Sequence, residues 1–291
     1  MPSPSSPLFL PLCWAENLLV SGLLGLMRLL RYRQRVAFGG WAVRHLVAPV
    51  AGWRKRVRQN LALIWPDLPP AEVERLVGTV CDNVGRTVAE LYSPEAFKAQ
   101  VKNTPIRGAG LDAILAAKAK GQAVILVSGH FGNHDIARAV LAGRGLHVGA
   151  LYRPQQNPYV EKHFRATIGA ISEPIFARGR KGLSEMVTHL KQGGMLGILV
   201  DQYVHRGAPL HFMGRRALTA TSAADLALKY GARLVPVYGI RQKDGISFEL
   251  VVEDPIPRAS PEAMTQAVNT SLERQVIAHP DQWFWIHRRW K

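Results

Sequence analysis

Five short apolar runs rich in β-branched residues punctuate the later part of the chain: AVILVS (123–128), HVGALY (147–152), MLGILV (195–200), RLVPVYGI (233–240) and ISFELVV (246–252). Each has the length of a strand, and helical patterns fill most of the gaps, at residues 111–120, 136–142, 158–168, 181–192, 220–230 and 261–278. Two strands can run parallel only if a long crossover joins them, so this alternation predicts an α/β fold with a partly parallel sheet covered by helices. The last two runs are parted by QKDG alone, which reads as a hairpin and makes the expected sheet mixed. Further upstream, Asp67 and two prolines open a segment in which Val73, Leu76, Val77, Val80, Val84, Val88 and Leu91 recur at three- and four-residue steps, the pattern of an amphipathic helix. With 291 residues, 47% of them hydrophobic, the chain can fill a sizeable core, which excludes a disordered protein.

The N-terminus follows another logic. LFLPLCWAENLLVSGLLGLMRLL (8–30) is about as long as the 20 or so residues a helix needs to cross a bilayer, although Pro11, Glu16 and Asn17 interrupt it. A secretory signal carries positive charge ahead of its apolar segment, whereas MPSPSSP has none, so we expect an uncleaved anchor. Behind it come Arg28, Arg31, Arg33, Arg35, Arg44, Arg54, Lys55, Arg56 and Arg58 without a single Asp or Glu between them. The positive-inside rule puts that side in the cytoplasm, and Phe38 and Trp41 among the arginines suit a helix in the headgroup layer. A buried N-terminal helix followed by a solvated basic loop is the plainer reading. The chain carries 37 Lys and Arg against 21 Asp and Glu, a net charge of +16, so its partners are expected to be anionic. Cys13 and Cys81 are too far apart in sequence to read as a C-x-x-C pair, and two cysteines make no disulfide framework.

The densest chemistry is in VSGHFGNHD (127–135). His130 falls two residues after the run AVILVS, at the carboxyl end of a strand, where ligands collect in such folds. On one continuous helix His130 and Asp135, five apart, would diverge by about 140°. Gly129 and Gly132 allow a turn that brings both to one mouth. An imidazole polarised by a carboxylate is a general base. No G-x-S-x-G occurs and neither cysteine lies near a base, so the nucleophile is expected to belong to the substrate. Two other readings stand beside this one: a metal held by His130, His134 and Asp135, which lacks the helical H-E-x-x-H spacing, and a histidine that only caps structure. Arg153 or Arg165 are candidates to meet a phosphate or an oxyanion, with Asp201 positioning one of them, while Asn133 and Gln202 are candidate hydrogen-bond donors. RGAGLDA (107–113) mimics a dinucleotide fingerprint, but Ala113 replaces its last glycine and no convincing strand precedes it, so we set it aside. In QWFWIHRRWK the tryptophans alternate with basic residues, a composition suited to lipid headgroups, to stacking on single-stranded nucleic acid, or to closing the core.

GHFGNHD resembles the H-x-x-x-x-(D/E) signature of glycerolipid and lipid A acyltransferases. YRPQQNP (152–158), LKQGGMLGILVDQ (190–202), the long block 211–241 and HPDQWFWIHRRWK (279–291) are similar to the lauroyl/myristoyl acyltransferases of bacterial lipid A biosynthesis, and RQNLALIWPDLPPAEVERLV (58–77) resembles their N-terminal helical region. The resemblance spans nearly the whole chain from about residue 15. It implies a glycerolipid-acyltransferase-like fold, with residues 1–58 as membrane anchor and basic surface segment and residues 59–291 as acyltransferase domain. It further implies acyl transfer from acyl carrier protein, or acyl-CoA, to a hydroxyl of an anionic glycolipid, a lipid A precursor above all. The site would face the cytoplasm from the bacterial inner membrane, with no metal, cofactor or nucleic acid. Carried onto this chain, His130 would be the base and Asp135 its orienting carboxylate, a position where many members of this branch have glutamate. Asp201 matches the family's aspartate in DQ, and Arg165 the arginine of the helix after the NP dipeptide. Acyl transfer to another anionic glycolipid or amino-acid lipid, and a metal-dependent lipid hydrolase, are the alternatives.

Overall fold

The computed structural model describes residues 9–291, so MPSPSSP and Leu8 lie outside the described residues. Helices α1 (Phe9–Arg28) and α2 (Tyr32–Ala42), a π-helical turn (Val43–Val47), α3 (Ala48–Val50), α4 (Trp53–Ile64), α5 (Pro70–Leu91) and α6 (Pro94–Val101) precede the sheet. There follow β1 (Ile106–Arg107), α7 (Gly110–Ala119), β2 (Val124–Ser128), α8 (Ile136–Ala142), β3 (Val148–Tyr152), α9 (Pro158–Ile171), β4 (Ile175–Ala177) and α10 (Arg180–Lys191). The chain then forms β5 (Met195–Leu199), β6 (Ala208–Phe212), β7 (Arg215–Thr219), α11 (Ser222–Tyr230), β8 (Arg233–Arg241), β9 (Phe248–Val252) and α12 (Pro261–Ala278).

The seven-stranded sheet has the order β1-β9-β8-β2-β5-β3-β4. Strands β8, β2, β5, β3 and β4 are mutually parallel; β9 runs antiparallel to β8, and β1 parallel to β9. The expected mixed α/β sheet, with its terminal hairpin, is thus the fold. Period-two alternation splits β2 between the layers: Val124 and Leu126 join the core with Ile114, Ile136 and Val140, while Ile125 and Val127 join that with Met186, Leu190 and Met264. A third core, around Phe131, Phe212, Trp283 and Trp285, closes one end of the sheet against α4 and α5.

Several elements differ from the expectation. β1 and β4, two and three residues long, are too short to show a period, and the β6–β7 hairpin turns at Met213 and Gly214, both at positive φ. A short strand does lead into RGAGLDA, contrary to expectation: its Arg107 ends β1 and its Gly110 opens α7. Its glycines nonetheless serve packing: a Cβ on Gly110 would lie 1.9 Å from the Glu253 carbonyl oxygen. The boundary drawn at residue 58 falls within the continuous helix α4.

The N-terminal helices pack on the α/β body. α1 is long and apolar enough to cross a membrane, with a mean hydropathy of 1.5. Its Glu16 and Ser21 meet the start of α9 and the flank of that helix: Asn157, just ahead of α9, donates to the Cys13 carbonyl (2.8 Å) and to Glu16 (2.7 Å), and Ser21 Oγ lies 3.3 Å from His163 Nε2. Leu10, Trp14, Leu18, Leu23 and Leu26 remain exposed on its outer side. Part of the basic segment is likewise committed to the body, for Arg35 donates to Ser93 and Arg58 pairs with Glu74.

α5 is tied to the sheet by a buried ion pair. Glu90 accepts both terminal nitrogens of Arg241, at 2.5 and 2.8 Å, while Arg241 Nε donates to Asn83 (2.7 Å) and its guanidinium lies 4.6 Å from the Phe248 ring centre. Removing one partner of such a pair strands the other in the interior. We expect Glu90→Gln to lower the unfolding free energy by about 3–5 kcal/mol, read by denaturant unfolding of the purified protein. A loss below about 1 kcal/mol, the range of exposed pairs, would contradict the clamp.

Candidate active site

The site forms where β2 and β5, neighbours in the sheet, end together. Their register pairs Ser128 with Leu199, and His130 and Asp201 each follow by two residues. The Asp201 carboxylate is wholly buried and takes three donors: the His130 backbone N–H (2.8 Å), His130 Nδ1 (2.7 Å) and Trp283 Nε1 (2.9 Å). A carboxylate only accepts, so Nδ1 carries the hydrogen and Nε2 is left with its lone pair. Nε2 makes no hydrogen bond among the described residues, and 23% of the His130 side chain stays exposed, so a substrate can reach it. Burial works against the protonated ring, but the charge and hydrogen bond of Asp201 outweigh it and hold His130 above the ordinary imidazole value. Burial likewise opposes the charge of Asp201, yet His130 holds its pKa far below the usual carboxylate range.

The carboxylate on His130 is therefore Asp201, and not Asp135 as the five-residue spacing led us to expect; nor does Asp201 position an arginine. Asp135 stands at the start of α8 and turns to its own helix, where Arg138 Nη1 donates to it at 2.7 Å. Arg138 is itself buried and donates to the carbonyls of Val148, Ile168 and Ser172, sewing α8 to β3 and to the end of α9. Against the cost of burial, Arg138 lowers the Asp135 pKa.

Three supports fix the loop that carries His130. Gly132 has φ +54°, and a Cβ there would lie 1.9 Å from the Gly239 carbonyl oxygen, so no other residue fits. Its carbonyl accepts from Asn83 and Thr87 of α5. Asn133, expected as a substrate donor, is buried and holds the turn instead, donating to Glu90 and accepting from the Asp135 N–H. The C-terminal segment completes the frame, with Gly132 N–H on the Gln282 carbonyl and Phe284 N–H on that of His130. Trp283, Trp285 and Arg289 are buried, so of the three readings of QWFWIHRRWK the core-closing one holds for them.

Sequence reasoning missed His287, which that segment brings to the site. Its ring centre lies 4.6 Å from that of His130, and Asn60 holds it by donating to the carbonyls of Trp285 and His287. Burial above all lowers its pKa to about 4, keeping it neutral. The only signal was its place in the C-terminal block. His134, 5.5 Å from His130 between ring centres, is also pushed down by burial.

A cavity of about 580 Å³ opens beside His130, between the sheet and α8 and α9, with Leu126, Val148, Ala137, Phe164 and Ile168 in its walls. Arg153, Arg178 and Gln202 also line it. Arg165 does not: Phe164 and Ile168 face the cavity, and one residue further round α9 Arg165 turns about 100° away to a separate surface depression. A smaller apolar cavity of about 160 Å³, bordered by Val84, Val88, Trp283 and Phe284, reaches His130 and His134 from the α5 side. The base thus stands where two cavities meet.

Donor atoms of His130, Asp201 and His287 lie within 4.8 Å of one another, close enough to raise the question of a metal ion. Two ligands at about 2.0–2.1 Å on a tetrahedral ion stand roughly 3.3 Å apart. His130 Nδ1 and Asp201 lie at hydrogen-bond distance, 2.7 Å, and the other Asp201 oxygen is taken by Trp283, so this donor set does not fit an ion.

Residues 6–291 match the family described as bacterial lipid A biosynthesis acyltransferase, and the chain belongs to it. It is 27% identical over 248 residues to the lipid A biosynthesis lauroyltransferase of Escherichia coli (strain K12), an alignment covering 81% of this chain and 78% of that protein. It is 25% identical over 263 residues to the lipid A biosynthesis palmitoleoyltransferase of the same strain, covering 88% and 85%. A phosphatidylinositol mannoside acyltransferase of Mycobacterium tuberculosis (strain CDC 1551 / Oshkosh) is 24% identical over 251 residues, covering 82% and 78%.

The electrostatics predict how rate depends on pH. Asp201 stabilises the fold above the ordinary carboxylate value, and loses that effect as pH falls through its own depressed pKa. His130 contributes below the ordinary imidazole value and loses its effect as pH rises through its raised pKa. Asp201→Asn leaves burial to dominate His130, so the acid limb of kcat/KM moves to lower pH while the plateau falls. Asp135→Asn, whose charge is spent on Arg138, leaves that limb in place. The opposite assignment of shifts would return the orienting role to Asp135.

Proposed function

We propose that the protein transfers a fatty acyl chain from an acyl carrier protein thioester to a hydroxyl of a lipid A precursor, without an acyl-enzyme. The observation that carries this reading is His130: its Nδ1 is fixed on Asp201 and its free Nε2 faces the junction of two cavities. Nε2 takes the proton of the acceptor hydroxyl as that oxygen bonds to the thioester carbon. The tetrahedral intermediate then collapses, the C–S bond breaks, and the departing thiolate receives the proton back from the imidazolium. Asp201 stabilises the imidazolium meanwhile. Gln202, which lines the larger cavity and makes no hydrogen bond among the described residues, is the donor we assign to the oxyanion. The apolar walls of the larger cavity suit the acyl chain. No metal or cofactor enters these steps.

The outer face of α1, together with the exposed Phe38 and Trp41 of α2 in the basic segment, is where we place the cytoplasmic leaflet of the inner membrane. The net charge of +16 favours both anionic lipid and an acidic carrier protein. The segment read as an anchor, up to the loop before α4, then serves as the membrane-facing part, and the chain from α4 onward as the acyltransferase part. The mycobacterial relative supports a second acceptor, a phosphatidyl-sugar lipid, for the same chemistry.

Transfer from labelled acyl carrier protein thioesters to a panel of purified lipid acceptors, wild type against His130→Ala, tests the proposal. The variant should lose about 10²-fold or more, the usual contribution of a general base. Equal rates in the two proteins would remove His130 from the mechanism, and the acceptor that supports the highest kcat/KM decides between lipid A precursor and phosphatidyl-sugar lipid.

A further inference from the structure

The geometry points to Arg153 and Arg178 as a binding site for a phosphate ester carried by one of the substrates. This rests on the acyl-transfer reading above and adds to it a recognition element. β3 and β4 pair in parallel with Tyr152 opposite Ala177, and the Arg178 N–H donates to the Tyr152 carbonyl at 2.8 Å. The next residues, Arg153 and Arg178, are therefore register neighbours at the carboxyl ends of adjacent strands. Both residues line the larger cavity together with His130. Both are exposed at the mouth of that cavity, and among the described residues neither guanidinium makes an ion pair or a hydrogen bond. The carboxylate on the same segment, Glu161, is spent on the Tyr152 hydroxyl and the Gln155 N–H, at 2.8 Å each.

Two unpaired arginines that leave adjacent strand ends in register and line one cavity gain most from an anion that both can grip. A phosphate matches their planar, bidentate geometry. Their distance from the base suits a substrate group remote from the reacting carbon. The strands lie in the order β2-β5-β3-β4, so at about 4.8 Å per strand the pair stands roughly 10–14 Å from the end of β2 that leads to His130. Such an anion is too far to be the oxyanion and close enough to belong to the same bound molecule. Two phosphates qualify: that of a phosphopantetheine arm on the donor, and one on the sugar of the acceptor lipid.

The test uses the full chain in detergent with matched substrates: acyl-phosphopantetheine against acyl-pantetheine as donors, and phosphorylated against dephosphorylated disaccharide lipid as acceptors. Arg153→Ala and Arg178→Ala should each raise KM about 10- to 100-fold, the worth of a charge-assisted contact, for one phosphorylated substrate with kcat little changed. The effect should vanish for its phosphate-free partner. Dependence on the donor phosphate identifies the arm, and dependence on the acceptor phosphate the headgroup. Arg258→Ala, which removes the same charge outside the cavity, where Arg258 donates only to the Leu228 carbonyl, should leave both KM values unchanged. A KM unaffected by either substitution, or raised equally with and without phosphate, overturns the inference. Calorimetric titration with phosphopantetheine and with the phosphorylated acceptor separates this from the reaction itself. Binding that Arg153→Ala and Arg178→Ala abolish, in a protein that transfers no acyl chain, keeps the phosphate site and removes the acyl-transfer reading.

Discussion

A single buried carboxylate governs how this site is built. An isolated charge in the interior is prohibitively costly, and Asp201 is tolerable there only because three donors converge on it. Those donors come from the loop after β2 and from the C-terminal segment, 71 and 82 residues away in sequence. The fold must therefore bring the two strand ends and the C-terminus together before the charge can be buried. Orientation of the base is then a consequence of satisfying Asp201, with no separate device needed.

The same economy of charge holds around it. Three buried or nearly buried carboxylates surround the loop, and each has its own basic partner: Asp201 has His130, Asp135 has Arg138, Glu90 has Arg241. Because two of the three are matched to arginines, only the imidazole is left to exchange a proton near neutral pH. His134 and His287 stand close by, but burial holds both toward the neutral form, so they add no competing positive charge next to the base.

How much of this was legible beforehand follows from range. The five core strands and most helices announce themselves through local periodicity, and α8 and α12 have the expected limits. β1 and β4, two and three residues long, are too short to repeat the two-residue alternation, so pattern alone does not reveal them. His130 was readable because a strand end followed by Gly-rich turn residues is a local signal. Its partner was not, since the link between His130 and Asp201 depends on which strands are neighbours and in what register. His287 and the core role of Trp283 were hidden for the same reason: composition describes a segment, whereas burial depends on what meets it. For that reason a tail that looked suited to headgroups closes the core.

The contrast between the two aspartates explains what the H-x-x-x-x-D spacing does here. Asp135 and Arg138 are three apart at the start of one helix, a separation at which side chains meet without tertiary help. Asp135 is therefore claimed locally, and Arg138 carries the consequence outward, through Val148 to β3 and through Ile168 and Ser172 to the end of α9. Those elements form walls of the larger cavity. Asp201 stands instead just beyond a strand held on both sides by neighbours, the more rigid platform for aiming an imidazole. The short motif thus divides its work: its histidine is aimed from across the sheet, while its aspartate fixes the cavity wall at a set distance from that histidine. A change at Asp135 then acts first on the shape of the space beside the base, and only through it on the chemistry.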